Sequence, residues 1–311
     1  MSFSSGVKTE LSRNMPQNSC CRKAECYGLL LFGRSFTKSE MVVKCANREA
    51  AHHAAQLIAE ITGAFTEVSE YSLRRLSGPH KESQPSFLVT VPGDDQRRAV
   101  LSCFGLSGNE VSQRIQYANL ENECCISAFL RGAFLSCGTA TDPRKDYQLE
   151  FVVPYMNLAK DLQALIGEVV ELGIQPGLTH RRGAYVVYLK GGERVADLIA
   201  YLGAGNAAME LMQTQMVKEV RNNVNRKTNF ETANLGKTAK ASAEQVLAIE
   251  KILNSADGLS FLPEELQELA MLRYRNPEMS LRELGEILSE PLSRSGINHR
   301  LQRIVELAQE L

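Results

Sequence analysis

Between Arg294 and Arg303 the 311-residue chain places Arg294, Ser295, Asn298, His299, Arg300, Gln302 and Arg303, with no carboxylate from Pro291 to Val305. Asn and Gln pair a donor with an acceptor and so match the edges of bases, and Arg offers a planar fork of donors to phosphate. At helical spacing, Ser295, His299, Gln302 and Arg303 share one side with Asn298 at its edge. Ile297, Leu301, Ile304, Ala308 and Leu311 form an apolar stripe on the other side, widened by Leu307. The chemistry is duplex readout: Ser295, Asn298, His299 and Gln302 are expected to face bases, while Arg294, Arg300 and Arg303 position on phosphates.

A second basic stretch runs from Lys218 to Lys240, with six basic residues against two acidic ones and five interleaved asparagines. Arg226, Lys227, Asn229 and Lys237 are its candidate contacts for phosphate oxygens, which bind without regard to sequence. The same composition also suits a solvated interdomain linker.

Eight cysteines lie in the first half, none in a CxxC pair. The vicinal pairs Cys20-Cys21 and Cys124-Cys125 are expected to point in different directions from a helix, so neither zinc nor a disulfide framework is expected. A single exposed His299 forms no catalytic dyad, and no metal or cofactor is expected.

The elements that must position the basic face lie just before it. Ser280 and Glu283 have capping-box spacing and open a short helix over SLRELGEIL. After SEPLS the last helix starts near Ser293, which gives helix-turn-helix order over about residues 280–311. Upstream, Pro263 with Glu264 and Glu265 marks a helix start. Ser242-Ala-Glu-Gln245 reads as another capping box, and Gly258 as the end of the helix that it opens. Residues 241–311 are therefore expected to form an all-α domain.

The first two thirds contain an internal repeat, with units at about 20–105 and 124–203. ECYGLLLFGRS corresponds to FLRGAFLSCGT. Leu57-Ile58-Ala59-Glu60 corresponds to Leu165-Ile166-Gly167-Glu168, Gly93 to Gly191 and Gly105 to Gly203. Each unit reads as helix, extended segment, amphipathic helix, extended segment, helix. The extended segments are Met41 to Cys45 and Ser86 to Val91, then Gln148 to Val153 and Ala184 to Leu189. The fold class is α+β with pseudo-twofold symmetry, over residues 1–222, followed by a basic linker at 223–240.

LRGAFLSCG (Leu130 to Gly138) resembles the LAGLIDADG signature of homing endonucleases, and CYGLLLFGR (Cys26 to Arg34) is a weaker copy. The resemblance implies two signature helices packed along the pseudo-dyad, with flanking saddle-shaped sheets that face DNA. In that family the eighth signature residue is an acid that holds the divalent metals. Here the eighth positions are Gly33 and Cys137, and neither supplies the hard oxygen ligand that Mg²⁺ requires.

The LAGLIDADG-like domain, NRKTNFETANLGKTAK, and SLRELGEIL with SRSGINHRLQRI together closely resemble the bacterial WhiA family along nearly the whole chain. The resemblance implies a terminal domain similar to the fourth region of sigma factors. It also implies a transcription regulator linked to cell division and chromosome segregation, and to sporulation in spore formers, with endonuclease activity lost. The expected partners are double-stranded DNA at promoter sites and other transcription or division proteins. Two alternatives are an active LAGLIDADG-type endonuclease and a protein-interaction adaptor without DNA binding.

Charge and composition set the outer bounds. With 44% hydrophobic and 23% charged residues, the chain falls outside collagen-like, disulfide-scaffold and wholly disordered classes. The formal net charge of -1 is a cancellation: Ala241 to Glu290 carries ten acids against four bases, which offsets the basic stretches on either side. The start, MSFSSGVKTELSRNMPQ, does not read as a secretory signal, and no apolar run suits a membrane span. A cytoplasmic, nucleoid-associated, non-enzymatic protein is expected.

Overall fold

The computed structural model describes residues 2–71, 86–110 and 112–311, so residues 72–85, inside the first repeat, lie outside the described residues. The chain divides into two compact units, Met1–Lys218 and Glu219–Leu311.

In the first unit, α1 (Phe3–Arg13) precedes two copies of one plan. The first copy runs α2 (Ser19–Leu31), β1 (Ser35–Phe36), β2 (Met41–Cys45), α3 (Arg48–Thr62), β3 (Glu67–Tyr71), β4 (Ser86–Thr90) and α4 (Asp94–Cys103). The second runs α5 (Glu123–Cys137), β5 (Gly138–Ala140), β6 (Gln148–Val153), α6 (Met156–Glu168), β7 (Gly177–Arg181), β8 (Ala184–Lys190) and α7 (Gly192–Tyr201). The glycine equivalences hold in the backbone: Gly93 and Gly191 each precede the last helix of their copy at positive φ, and Gly105 and Gly203 follow it at positive φ.

Each copy forms a four-stranded antiparallel sheet, in the order β1-β2-β4-β3 and β5-β6-β8-β7. Two strands per copy are expected from the sequence, and four are present among the described residues. The additions are the edge strands. β1 and β5 are too short to show a period, and β3 is exposed at every residue, so burial imposes no alternation on it. The hairpin between β7 and β8 turns through Arg182 and Gly183, both at positive φ, as a two-residue turn matched to strand twist requires.

The signature helices α2 and α5 cross at the centre of this unit, where small residues let the backbones touch. A Cβ on Gly28 would meet Phe129 O at 2.2 Å, and one on Gly132 would meet Glu25 O at 2.1 Å. Around the crossing, Tyr27 stacks on Phe104 with centroids 5.3 Å apart, and Phe134 meets Phe151 edge-on. Glu25, fully buried, is bonded by His53 Nε2 at 2.7 Å and Arg131 Nε at 3.1 Å. Arg131 also donates to the carbonyls of Leu11 and Asn14, which ties α1 to the crossing.

The vicinal cysteines depart from expectation. Cys20 and Cys21 on α2 and Cys124 and Cys125 on α5 converge, with all four sulfurs within 4.8 Å of one another. The premise that neighbouring thiols diverge from a helix fails here because both pairs lie in first turns, on helices packed against each other.

Residues 223–240 are helical: they lie within α8 (Gly205–Leu253), and side chains described there are exposed. Ser242 opens no helix. Its hydroxyl donates to Pro277 O at 2.6 Å from within α8, so the capping-box reading fails at this site. Nor does Gly258 end that helix, which stops at Leu253; Gly258 begins a short 3₁₀ turn instead.

The rest of the second unit is α9 (Glu264–Arg275), α10 (Leu281–Ile287) and α11 (Arg294–Gln309). Its core gathers Ile249 and Ile252 from α8, Leu266 and Leu269 from α9, Leu284 from α10, and Ile297, Leu301, Ile304 and Ala308 from α11. Leu311 lies beyond the helix and is exposed, so the expected stripe ends at Ala308.

Candidate nucleic-acid interface

Local signals fix α10 and α11. Ser280 Oγ accepts from Glu283 N at 3.2 Å while Glu283 Oε2 accepts from Ser280 N at 2.8 Å, the reciprocal capping box read from the sequence. These bonds also hold the Glu283 carboxyl below its ordinary pKa. Ser293 caps α11 by accepting from Gly296 N at 3.2 Å.

The six residues 288–293 between the two helices are held at both ends. Leu292 N donates to Gly285 O at 3.1 Å, and a Cβ on Gly285 would meet Leu292 O at 2.3 Å, so backbone lies directly on backbone. On the α9 side, Glu268 Oε1 accepts from Ser289 N and Oγ at 2.9 and 2.7 Å. The buried Arg273 guanidinium, 2% exposed, donates to Pro277 O and Met279 O at 3.2 and 2.7 Å and closes the loop before α10.

This scaffold turns one face of α11 outward. Arg294, Ser295, Asn298, His299, Gln302 and Arg303 are exposed, while Ile297, Leu301 and Ile304 are buried behind them. Arg300 is oriented differently from the other candidates. It is half-buried, donates from Nη1 to Glu265 O at 3.0 Å, and has Nη2 4.0 Å from Glu265 Oε2. Lying between exposed His299 and buried Leu301, it reaches back to α9 and braces the helix.

Some of the candidates come together. Lys237 of α8, Arg282 of α10, and Arg294 and Asn298 of α11 line one cavity of about 480 Å³. Gln245 and Arg273 form part of its wall, each with one buried polar atom lacking a hydrogen-bond partner, Gln245 Oε1 and Arg273 Nε. Arg226, Lys227 and Asn229 are exposed on α8 and do not line it. Arg282 is not among the contacts read from the sequence; it lies in the capping-box motif, where a base next to a helix start is the available signal.

The positions of the homing-endonuclease acids do not suit Mg²⁺. At Gly33 a Cβ would already meet Leu30 O and Val42 O at 3.0 Å, which leaves no room for a carboxylate without a shift. Burial pushes the Cys137 thiol up to about 12, and its charged neighbour is the Lys8 ammonium, which donates to Leu135 O at 3.0 Å. A soft thiol beside a fixed cation is the wrong donor set for a hard dication.

Among the described residues, no helix is long and apolar enough to cross a membrane.

Residues 126–221 match the model of the WhiA LAGLIDADG-like domain, and residues 224–308 match the model of the WhiA C-terminal HTH domain. The chain is 37% identical to a probable cell division protein WhiA of Ruminiclostridium cellulolyticum, with 100% of this chain and 98% of that protein covered. It is also 37% identical to the protein of the same description from Caldicellulosiruptor saccharolyticus, with 100% and 96% covered. Among solved structures, the full-length DUF199/WhiA from Thermatoga maritima shares the fold with a TM-score of 0.60 at 24% identity, covering 100% of this chain and 99% of that one. A LAGLIDADG-like domain followed by a helix-turn-helix unit, with relatives matched over nearly their whole length, makes this chain a member of the WhiA family.

Proposed function

We propose that the chain is a sequence-specific DNA-binding transcription regulator. The observation that carries this reading is the outward face of α11, where Arg294, Ser295, Asn298, His299, Gln302 and Arg303 stand exposed with no acid before Glu306. Ser295, Asn298, His299 and Gln302 read base edges in a groove, and Arg294 and Arg303 contact phosphates. Arg226, Lys227, Asn229 and Lys237 on α8 add affinity that does not depend on sequence.

The names carried by its relatives extend this proposal to a role in cell division; the family resemblance read from the sequence adds chromosome segregation and, in spore formers, sporulation as the processes we propose it regulates. The protein acts in the cytoplasm on the nucleoid, at promoter sites, in company with other transcription or division proteins. It does not cut DNA: the two signature helices keep their packing at Gly28 and Gly132, while Gly33 and Cys137 stand where the metal-binding acids would be.

Selection of genomic fragments by the purified protein tests the reading, because it reports binding and target sequence together. Enrichment of a common duplex site supports it; recovery no different from a no-protein control overturns it. A plasmid-nicking assay with Mg²⁺ or Mn²⁺ tests the loss of cleavage, and chelator-sensitive nicking would contradict it.

A further inference from the structure

The two repeats begin their signature helices with matching tetrads, Asn18-Ser19-Cys20-Cys21 and Asn122-Glu123-Cys124-Cys125. In each, the Asn is the N-cap in extended conformation, with no side-chain capping bond, and the cysteines are the second and third helical residues. Because α2 and α5 pack across the pseudo-dyad, the duplicated pairs meet. Cys20 Sγ lies 4.0 Å from Cys21 Sγ, Cys21 Sγ lies 3.5 Å from Cys124 O, and all four sulfurs fall within 4.8 Å of one another.

We propose that Cys20, Cys21, Cys124 and Cys125 form a tetrathiolate site for a soft divalent cation, zinc foremost. A tetrahedral ion with Zn–S bonds of about 2.3 Å sets its sulfurs about 3.8 Å apart. The cluster therefore needs to contract by about 1 Å at most, which rotation about Cα–Cβ bonds provides. Four thiols gathered from two distant segments are also the donor set that selects zinc over a hard cation.

Two further features fit a cation. The sulfurs sit at the N-terminal ends of two helices, whose exposed N–H groups favour thiolate. Each thiol releases its proton as its bond to the cation forms. Beside Cys124 opens a cavity of about 400 Å³ lined by Glu123, Glu168 and Glu171, with no basic residue in its lining, which gives a cation an approach from solvent.

The site is separate from the endonuclease positions. Gly33 and Cys137 lie at the opposite ends of the same helices, about 20 Å away along helices that rise about 1.5 Å per residue. Its effect is to clamp the first turns of α2 and α5 together.

The test is titration of the reduced full-length chain with cobalt(II), followed by displacement with zinc chloride. One cobalt per chain is expected, with the intense visible bands and thiolate charge transfer of tetrahedral sulfur ligation, lost on adding one equivalent of zinc. The paired change Cys20→Ser with Cys124→Ser touches the two more exposed members and should abolish the spectrum while leaving the far-ultraviolet circular dichroism of the parent. Affinity should fall by more than the roughly 10–100-fold that losing an outer partner of a metal ligand costs. Cys103→Ser, outside the cluster, should retain the spectrum. The proposal is overturned if the reduced chain gives no thiolate–cobalt absorption, if the paired variant binds as the parent does, or if the isolated chain holds these cysteines as disulfides that reduction does not convert into a metal site.

Discussion

Arg303 Nη1 lies 3.2 Å from Glu306 Oε2, one turn along the exposed face of α11. The pair joins an arginine proposed to contact phosphate to the acid that ends the helix's positive stretch, and both side chains are more than half exposed. Replacing Glu306 with Gln frees the guanidinium. Anisotropy titrations of a duplex should show tighter binding by the variant, because the Glu306 carboxylate no longer competes with phosphate for Arg303. Binding no tighter than the parent's would place Arg303 away from the backbone.

The turn between α10 and α11 leaves no space at Gly285, where a Cβ would stand 2.3 Å from Leu292 O and 3.3 Å from Ile297 Cγ1. The obstacle at the shorter distance is backbone, so Gly285→Ala must displace the turn. We expect a loss of about 1–3 kcal/mol in the stability of the second unit, as overpacking typically costs. Urea denaturation followed by circular dichroism measures it, and a midpoint equal to the parent's would refute the close approach.

In the first unit, Glu25 is the counter-charge of a buried arginine. Arg131 has its pKa lowered by burial, which the Glu25 carboxylate partly offsets. Glu25→Gln keeps the shape and removes that charge. Breaking a buried pair from one side costs about 3–5 kcal/mol, because the remaining ion stays desolvated. Equal denaturation midpoints for the parent and this variant would show that Glu25 carries no such burden.

Lys8 gives stability a dependence on pH. Burial pulls its pKa from 10.5 down to about 8, so between these values the unfolded chain holds a proton that the folded chain has released. Its contribution therefore penalises folding fully below pH 8, and the penalty lifts as pH rises. Buried thiols act in the opposite sense: Cys45 and Cys137, raised from 9.0 to about 12, favour unfolding as pH climbs past 9. Comparison with Lys8→Met cancels the thiols. From pH 8 to pH 9 the parent should gain about 1 kcal/mol relative to the variant, by the linkage of one proton; parallel curves would contradict the shift.

Local chemistry made the last two helices legible. Ser280 with Glu283, and Ser293, are caps that act within a few residues, and the stripe Ile297, Leu301, Ile304 follows one period. The repeat was legible through glycines whose positive φ both copies need, as at Gly93 and Gly191. What depended on partners distant in sequence was not. Ser242 has the pattern of a cap but is drawn to Pro277. Arg300 resembles its neighbours in sequence, and only the position of α9 turns it to Glu265. Residues 223–240 lack an apolar period, so their helicity within α8 left no amphipathic trace. The meeting of Cys20-Cys21 with Cys124-Cys125 follows from the packing of two helices about a hundred residues apart.

Binding by the outward face of α11 is the central claim, and it is tested most directly with a duplex selected from genomic fragments and a random duplex of equal length. Both are titrated with the full chain, Asn298→Ala and Arg294→Ala over a salt series. The parent should prefer the selected duplex. Asn298→Ala should lose about 1–3 kcal/mol of that preference with its salt slope kept. Arg294→Ala should weaken binding to both duplexes and flatten the slope by about 0.9. Absence of salt-dependent duplex binding by the parent, or two variants that bind both duplexes as the parent does, would contradict the account.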